Sequence, residues 1–137
     1  SRGLGDVYKR QGIINSVAQR EGCNKIALGH NLDDVIETFI MNLKYAGNIS
    51  TFSPKSYMDR SGITMIRPLI LLTEKNTNHF VKKYNKQVMP KVCPMDENTK
   101  REDIKAEIFA WQKEIPTIKA NLFGAISRNI DGWKKSM

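Results

Sequence analysis

The stretch from Ala27 to Thr38, ALGHNLDDVIET, constrains the fold more than any other part of the chain. A short apolar strand, Lys25 to Leu28, ends on Gly29-His30, and within two residues the chain enters a helix headed by two carboxylates. That is the layout of a nucleotide site at the carboxyl edge of a parallel sheet, with Gly29 free to bend and to let a ligand approach. Asn31 is suited to cap the helix. Leu32, Val35, Ile36, Phe39, Ile40 and Leu43 then recur at the spacing of one buried helical stripe, which leaves Asp33, Asp34 and Glu37 off it. Either Asp33 and Asp34 only complement the positive end of the helix dipole, worth about 0.3 to 1 kcal/mol each, or they face a site. The residues alone leave these readings level.

The rest of the pattern predicts an α/β chain. A helix over Gly12 to Glu21 precedes the first strand, and the helix after the motif runs from Leu32 to Tyr45. Gly47 to Gly62, rich in Ser, Thr and Pro, reads as a loop or irregular hairpin. A second strand covers Ile63 to Arg67, and Thr73 caps a helix to about Asn85 with Phe80, Val81 and Tyr84 on its apolar side. Pro90 and Pro94 require Gln87 to Pro94 to be extended. Thr99 and Glu102 form the capping-box pattern of a further helix, with Ile104, Ile108, Trp111 and Ile115 on one face. Ile118, Leu122 and Ile126 suggest a last helix, and Asp131 to Met137 are expected to be loose. Two convincing strands are fewer than a sheet requires, so a partial parallel sheet with flanking helices is expected.

Charge and cysteine usage narrow the class. The 137 residues carry a formal charge of +8, and residues 1–11 supply +2 of it, leaving +6 on the remainder. An excess of that size suits a polyanionic partner such as RNA. No apolar run approaches the roughly 20 residues of a membrane span, and two cysteines make no disulfide framework. No signal-peptide pattern is present, so the cytoplasm is expected. His30 and His79 are scattered, without zinc-ligand spacing. Lys82, Lys83 and Lys86 share a helix side, as do Arg101 and Lys105, which fits a solvated face or phosphate contacts. Cys93, before Pro94, is either a small buried hydrophobe or a thiolate supported by Lys91, Lys100 or Arg101.

GHNLDDVIET resembles the second signature of the PP-loop ATP pyrophosphatase superfamily, whose members adenylate a base or carbonyl and displace AMP with a nucleophile. Within it the chain is most similar to the tRNA 2-thiocytidine biosynthesis protein (TtcA) family. The similarity runs on through Ile66-Arg67-Pro68-Leu69 and through Cys93-Pro94 followed by Thr99-Lys100-Arg101, covering residues 12–115. It implies a Rossmann-like, adenine nucleotide alpha hydrolase-like domain that uses ATP and Mg²⁺ to adenylate a cytidine carbonyl oxygen in tRNA, after which sulfur displaces AMP.

By the same resemblance, Asp34, and less directly Asp33, hold Mg²⁺ or position the base, and Gly29 and His30 line the nucleotide. Arg67 contacts ATP or RNA, or is a buried scaffold arginine paired to Asp33 or Glu37. Cys93 is the third thiolate ligand of an iron-sulfur cluster, and Lys100 and Arg101 face tRNA phosphates; Cys23, in Glu21-Gly22-Cys23-Asn24 at a helix end, reads as structural from its setting alone. The implied partners are tRNA and a sulfur donor such as a cysteine desulfurase, with a homodimer left open.

Two family features are absent from the sequence: the phosphate-gripping Ser-Gly-Gly-x-Asp-Ser loop and a Cys-x-x-Cys pair. Residues 12–137 are therefore expected to be the C-terminal part of one PP-loop domain, inactive alone. Residues 1–11, SRGLGDVYKRQ, read as a non-native leader resembling translated adaptor sequence. GH-N-DD and RPL also occur in tRNA lysidine synthetases. Asp96-Glu97-Asn98 superficially fits that alternative and Cys93-Pro94 does not. A non-catalytic basic RNA-binding module is the remaining alternative.

Overall fold

The computed structural model describes residues 12–84 and 95–134, the side chains of 95–98 excepted. The proposed leader, the extended segment before Pro94 and Cys93 itself lie outside the described residues. The order is α1 (residues 12–20), β1 (Lys25–Ala27), α2 (Leu32–Met41), β2 (Lys55–Met58), β3 (Ile63–Ile66), α3 (Glu74–Lys83), α4 (Met95–Glu114), α5 (Ile118–Asn129) and α6 (Asp131–Lys134).

The sheet has the order β1-β3-β2. β1 and β3 are parallel, with Ile26 opposite Met65, and the pairing extends past β1 through Leu28 N–H to the Ile66 carbonyl at 2.9 Å. β2 runs antiparallel to β3, Lys55 opposite Ile66 and Met58 opposite Ile63, so the sheet is mixed where a parallel one was expected. The turn between these strands places Gly62 at φ 70°, a left-handed conformation that glycine adopts without a Cβ penalty. β2 is largely polar, so its strand character comes from pairing with β3 rather than from apolar alternation.

Two apolar clusters flank the layers. Ala18 of α1 packs with Ile26, Ile63 and Met65 on one sheet face. The larger cluster joins Val35, Ile36, Phe39 and Ile40 of α2 to Ile70, to Ile104 and Ile108 of α4, to Ile126 of α5 and to Trp133 of α6. The predicted α2 stripe therefore buries, apart from Leu32, which is partly buried, and Leu43, which is 41% exposed. Asn42–Ala46 form a π turn, whose wider i→i+5 bonding changes the helical phase just there. Gly47 ends it with φ 65°.

Three expectations require correction. α4 begins at Met95, so Thr99 lies within the helix and does not start it. Trp111 in the last turn of α4 and Ile115 just beyond it are 36% and 45% exposed, so only Ile104 and Ile108 of the predicted face are core. Residues after Asp131 are not loose throughout: α6 buries Trp133 to 1%, and its indole N–H donates to the Phe52 carbonyl at 2.8 Å.

Candidate functional site

The ends of β1 and β3 bring His30 and Arg67 side by side. Arg67 follows β3 directly and is 9% exposed. Its Nε donates to His30 Nδ1 at 3.2 Å and its Nη1 to the Ser53 carbonyl at 2.8 Å. The Phe52 ring stacks on the imidazole, centroids 4.1 Å apart and 12° between planes, while the guanidinium lies 5.0 Å from the same ring. Because Nδ1 accepts from Arg67, the neutral imidazole carries its proton on Nε2. Burial, then the charge of Arg67, holds the His30 pKa below its ordinary value, against a weaker opposing pull from Asp34. Arg67 is thus a buried arginine, paired to His30 and the Ser53 carbonyl rather than to Asp33 or Glu37.

Gly29 is exposed, and a Cβ built there meets nothing within 4 Å. Its smallness answers no crowding among the described residues; it leaves open space at the sheet edge.

The α2 N-terminus divides the two aspartates. Asp34 forms a capping box with Asn31: its Oδ2 accepts from the Asn31 N–H at 2.9 Å, and its own N–H donates to Asn31 Oδ1 at 3.0 Å. Its Oδ1 lies outside the box, 3.7 Å from Arg101 Nη1. Asp33 is buried and occupied on both oxygens. Oδ2 accepts from the Glu74 N–H at the start of α3, 2.5 Å away, and Oδ1 pairs with Lys119 of α5 at 2.8 Å. Asp33 therefore ties three helices together, whereas Asp34 caps α2 and turns its second oxygen towards Arg101.

Glu37, one turn further along α2, is buried and takes Arg101 on Oε1 at 3.1 Å, with Lys105 3.8 Å from Oε2. Burial pushes its pKa up, against the opposing pull of Lys105 and Arg101. Lys105 also reaches Glu74 at 3.0 Å. Arg101 and Lys105 share a side as expected, but that side packs on α2 instead of facing solvent. Lys100 is exposed and lies 5.2 Å from the Tyr45 ring. His79 is solvent-facing and Cys23 is exposed.

Among the described residues no three His, Cys, Asp or Glu side chains cluster as a metal site. The donor set fits a hard ion held mainly by substrate phosphates with Asp34 Oδ1 as a protein ligand, the mode Mg²⁺ favours. Phe52, Ser53, Glu74 and Lys119 complete the site without having been singled out in the sequence. Phe52, one of two aromatics in a polar stretch, offered a signal; Lys119, 86 positions from Asp33, offered none.

A strand-turn-helix of this kind at the carboxyl end of a parallel pair recurs in many α/β proteins, and comparison decides among them. The profile of the PP-loop domain family matches residues 8–111. The chain belongs to the PP-loop domain family. It is similar to tRNA-cytidine(32) 2-sulfurtransferases: 34% identical over 119 residues to that of Syntrophotalea carbinolica, covering 85% of this chain and 46% of the relative. Identity to the enzyme of Janthinobacterium sp. is 36%, covering 86% of this chain and 38% of the relative. That of Bordetella petrii shows 37% identity, covering 87% and 37% respectively. The PP-loop chain thus spans less than half the length of these relatives. In structure it resembles the U34-tRNA thiolase NcsA from Methanococcus maripaludis, solved with its [4Fe-4S] cluster, at a TM-score of 0.64 and 23% identity. The match covers 93% of this chain and 43% of NcsA, and it supports the α/β fold.

Proposed function

We propose that this chain is part of an ATP-dependent enzyme that converts a cytidine of tRNA to 2-thiocytidine. The observation that carries the reading is the convergence of His30, Asp34 and Arg67 at the carboxyl ends of β1 and β3 in a PP-loop chain whose relatives are named tRNA-cytidine 2-sulfurtransferases. Lysidine synthesis has no comparable support, since none of these relatives carries that name.

In the proposed reaction the cytidine carbonyl oxygen attacks the α-phosphorus of ATP and pyrophosphate leaves with the electron pair of the broken P–O bond. A sulfur nucleophile then adds to the activated carbon, and the C–O bond breaks as AMP departs with the former carbonyl oxygen. Asp34 Oδ1 would hold Mg²⁺, which when bound neutralises phosphate charge. The Nε2–H of His30 donates to nucleotide or base, and Arg67 fixes that ring and adds a positive charge that never titrates near neutrality. Asp33 holds the frame. Cys93 would ligate an iron-sulfur cluster together with thiolates outside this sequence, and the cluster when bound supplies a site for the sulfur atom. The partners are then tRNA and a sulfur donor such as a cysteine desulfurase, and the setting is the cytoplasm; no described helix is long and apolar enough to cross a membrane.

The test is a chimera joining the upstream half of the Syntrophotalea relative to residues 12–137, assayed with ATP, unmodified tRNA and a sulfide source, with nucleosides resolved by mass spectrometry. The expected product is 2-thiocytidine, lost in Asp34→Ala while cluster absorption persists. A folded, ATP-binding chimera that yields no thiolated base overturns the proposal, and incorporation of lysine would replace it with lysidine chemistry.

A further inference from the structure

Of the two RNA-facing residues expected from the sequence, Lys100 and Arg101, the second is held in ion pairs. Arg101 is engaged by Glu37 and Asp34, and Lys100 sits by the Tyr45 ring. Among the described residues, α3 carries several cations that no carboxylate pairs with. This helix buries none of its residues, and its only carboxylate, Glu74, is taken up by Lys105. Lys75, His79, Lys82 and Lys83 are all exposed on it.

Two features border this lysine ridge. On one side α3 forms, with α4 and α5, an open cleft of about 900 Å³ lined by Lys75, Asn76, His79, Lys82, Gln112 and Lys119. Asp33 and Glu74 also border it, but both are ion-paired, to Lys119 and Lys105. On the other side Phe80 and Tyr84, 55% and 54% exposed, pack ring against ring at 4.7 Å, with Lys83 Nζ 5.5 Å from the Tyr84 ring. Exposed aromatics beside cations that no carboxylate neutralises are the equipment of single-stranded RNA binding: lysines track phosphates and rings stack on unpaired bases. A protein partner selected by the apolar rings alone would gain nothing from the ridge.

We propose that the outer face of α3 is an RNA-docking surface, with Lys75, Lys82 and Lys83 on phosphates and Phe80 and Tyr84 stacked on unpaired bases of a loop. The inference rests on the tRNA reading above and assigns that partner a surface away from Arg101.

The experiment measures anisotropy of the whole 137-residue chain with a labelled unmodified tRNA transcript and with a fully paired RNA duplex, across a salt series. Lys82→Glu with Lys83→Glu should weaken tRNA binding about tenfold or more at low salt and flatten the salt slope by about 0.7 to 0.9 per lost phosphate contact. The same charge change at Lys25 and Lys55, exposed on the sheet, should weaken it less than threefold. Phe80→Ala with Tyr84→Ala should lower affinity for tRNA about tenfold with the slope unchanged, and leave the duplex unaffected. No side chain in question is buried, so circular dichroism should be unaltered. Tight tRNA binding that the α3 variants do not change, or that the sheet variants change equally, overturns this inference and leaves the tRNA reading standing. Failure of the wild-type chain to bind RNA even at low salt overturns both.

Discussion

His30 shows how one residue's chemistry is set by what lies on either side of it. Phe52 covers the ring and Arg67 occupies Nδ1, so the imidazole is neutral at physiological pH. Because its folded pKa lies below the unfolded value of 6.5, its contribution to stability is present above that value and is lost as pH falls through the folded one. Nitrogen-15 NMR should report the Nε2–H tautomer, and Phe52→Ala should raise the titration midpoint by removing the ring that desolvates it. An unchanged midpoint would mean that Arg67, not burial, governs the shift.

Glu37 carries the opposite consequence. Its folded pKa lies above 4.5, so the stability linked to its proton is full below that pH and lost as pH rises through the folded value. The stability of Glu37→Gln relative to wild type, from urea melts between pH 4 and 7, should therefore increase with pH; a flat difference would show that Arg101 and Lys105 cancel the burial cost.

At the scale of elements, the site depends on α6, four residues long. Trp133 meets Phe123 edge-on, 5.2 Å between centroids, and holds the Phe52 carbonyl, so α6 fixes the loop whose next residue, Ser53, accepts from Arg67. Trp133→Ala should cost about 3 to 5 kcal/mol. Two helical glycines should respond in opposite senses. At Gly132 a Cβ would come within 2.6 Å of Ser53 Cβ, and neither backbone can yield without moving that loop. At Gly124 the near atoms are the tip of Arg128, which can swing away. Gly132→Ala should lower the melting temperature, and Gly124→Ala should raise it by the helix propensity of alanine, up to about 1 kcal/mol. Equal shifts would show that the loop gives way freely. Much at this scale was legible: Asn31 and Thr73 cap α2 and α3 as their sequence context predicts. β2 and α6 were not, because a polar strand and a one-turn helix are stabilised by distant partners that no local window contains.

For the whole molecule, a chain that spans less than half of its relatives should bind without turning over. Purified alone, it should release no pyrophosphate from ATP above background with tRNA present, since it lacks the Ser-Gly-Gly-x-Asp-Ser loop; measurable turnover would show that phosphates are gripped elsewhere. In the chimera assembled anaerobically, Cys93→Ser should abolish the charge-transfer absorption of a cluster and with it thiolation, because an alcohol replaces thiolate poorly on iron. ATP binding should survive, and Cys23→Ser, at an exposed position, should change little. Retention of both cluster and sulfur transfer would return Cys93 to a packing role.

The sequence by itself determined the strand-turn-helix at GHNLDDVIET, the Asn31 cap and most of the apolar stripe of α2, because strand, turn and cap are local and their periodicity is written in adjacent residues. It also carried the family resemblance that the profile match bears out. Only the tertiary structure decided what the polar residues do. Asp33 and Asp34 are neighbours in sequence with the same functional group, yet one is spent on Glu74 and Lys119 and the other caps its helix and turns its second oxygen towards Arg101. Arg101, which the sequence allows to face RNA, is held by Glu37 across the α2–α4 contact. A carboxylate or guanidinium takes its role from whichever opposite charge the fold places within hydrogen-bond reach, and a separation of 64 positions between Glu37 and Arg101 leaves no local record of that meeting.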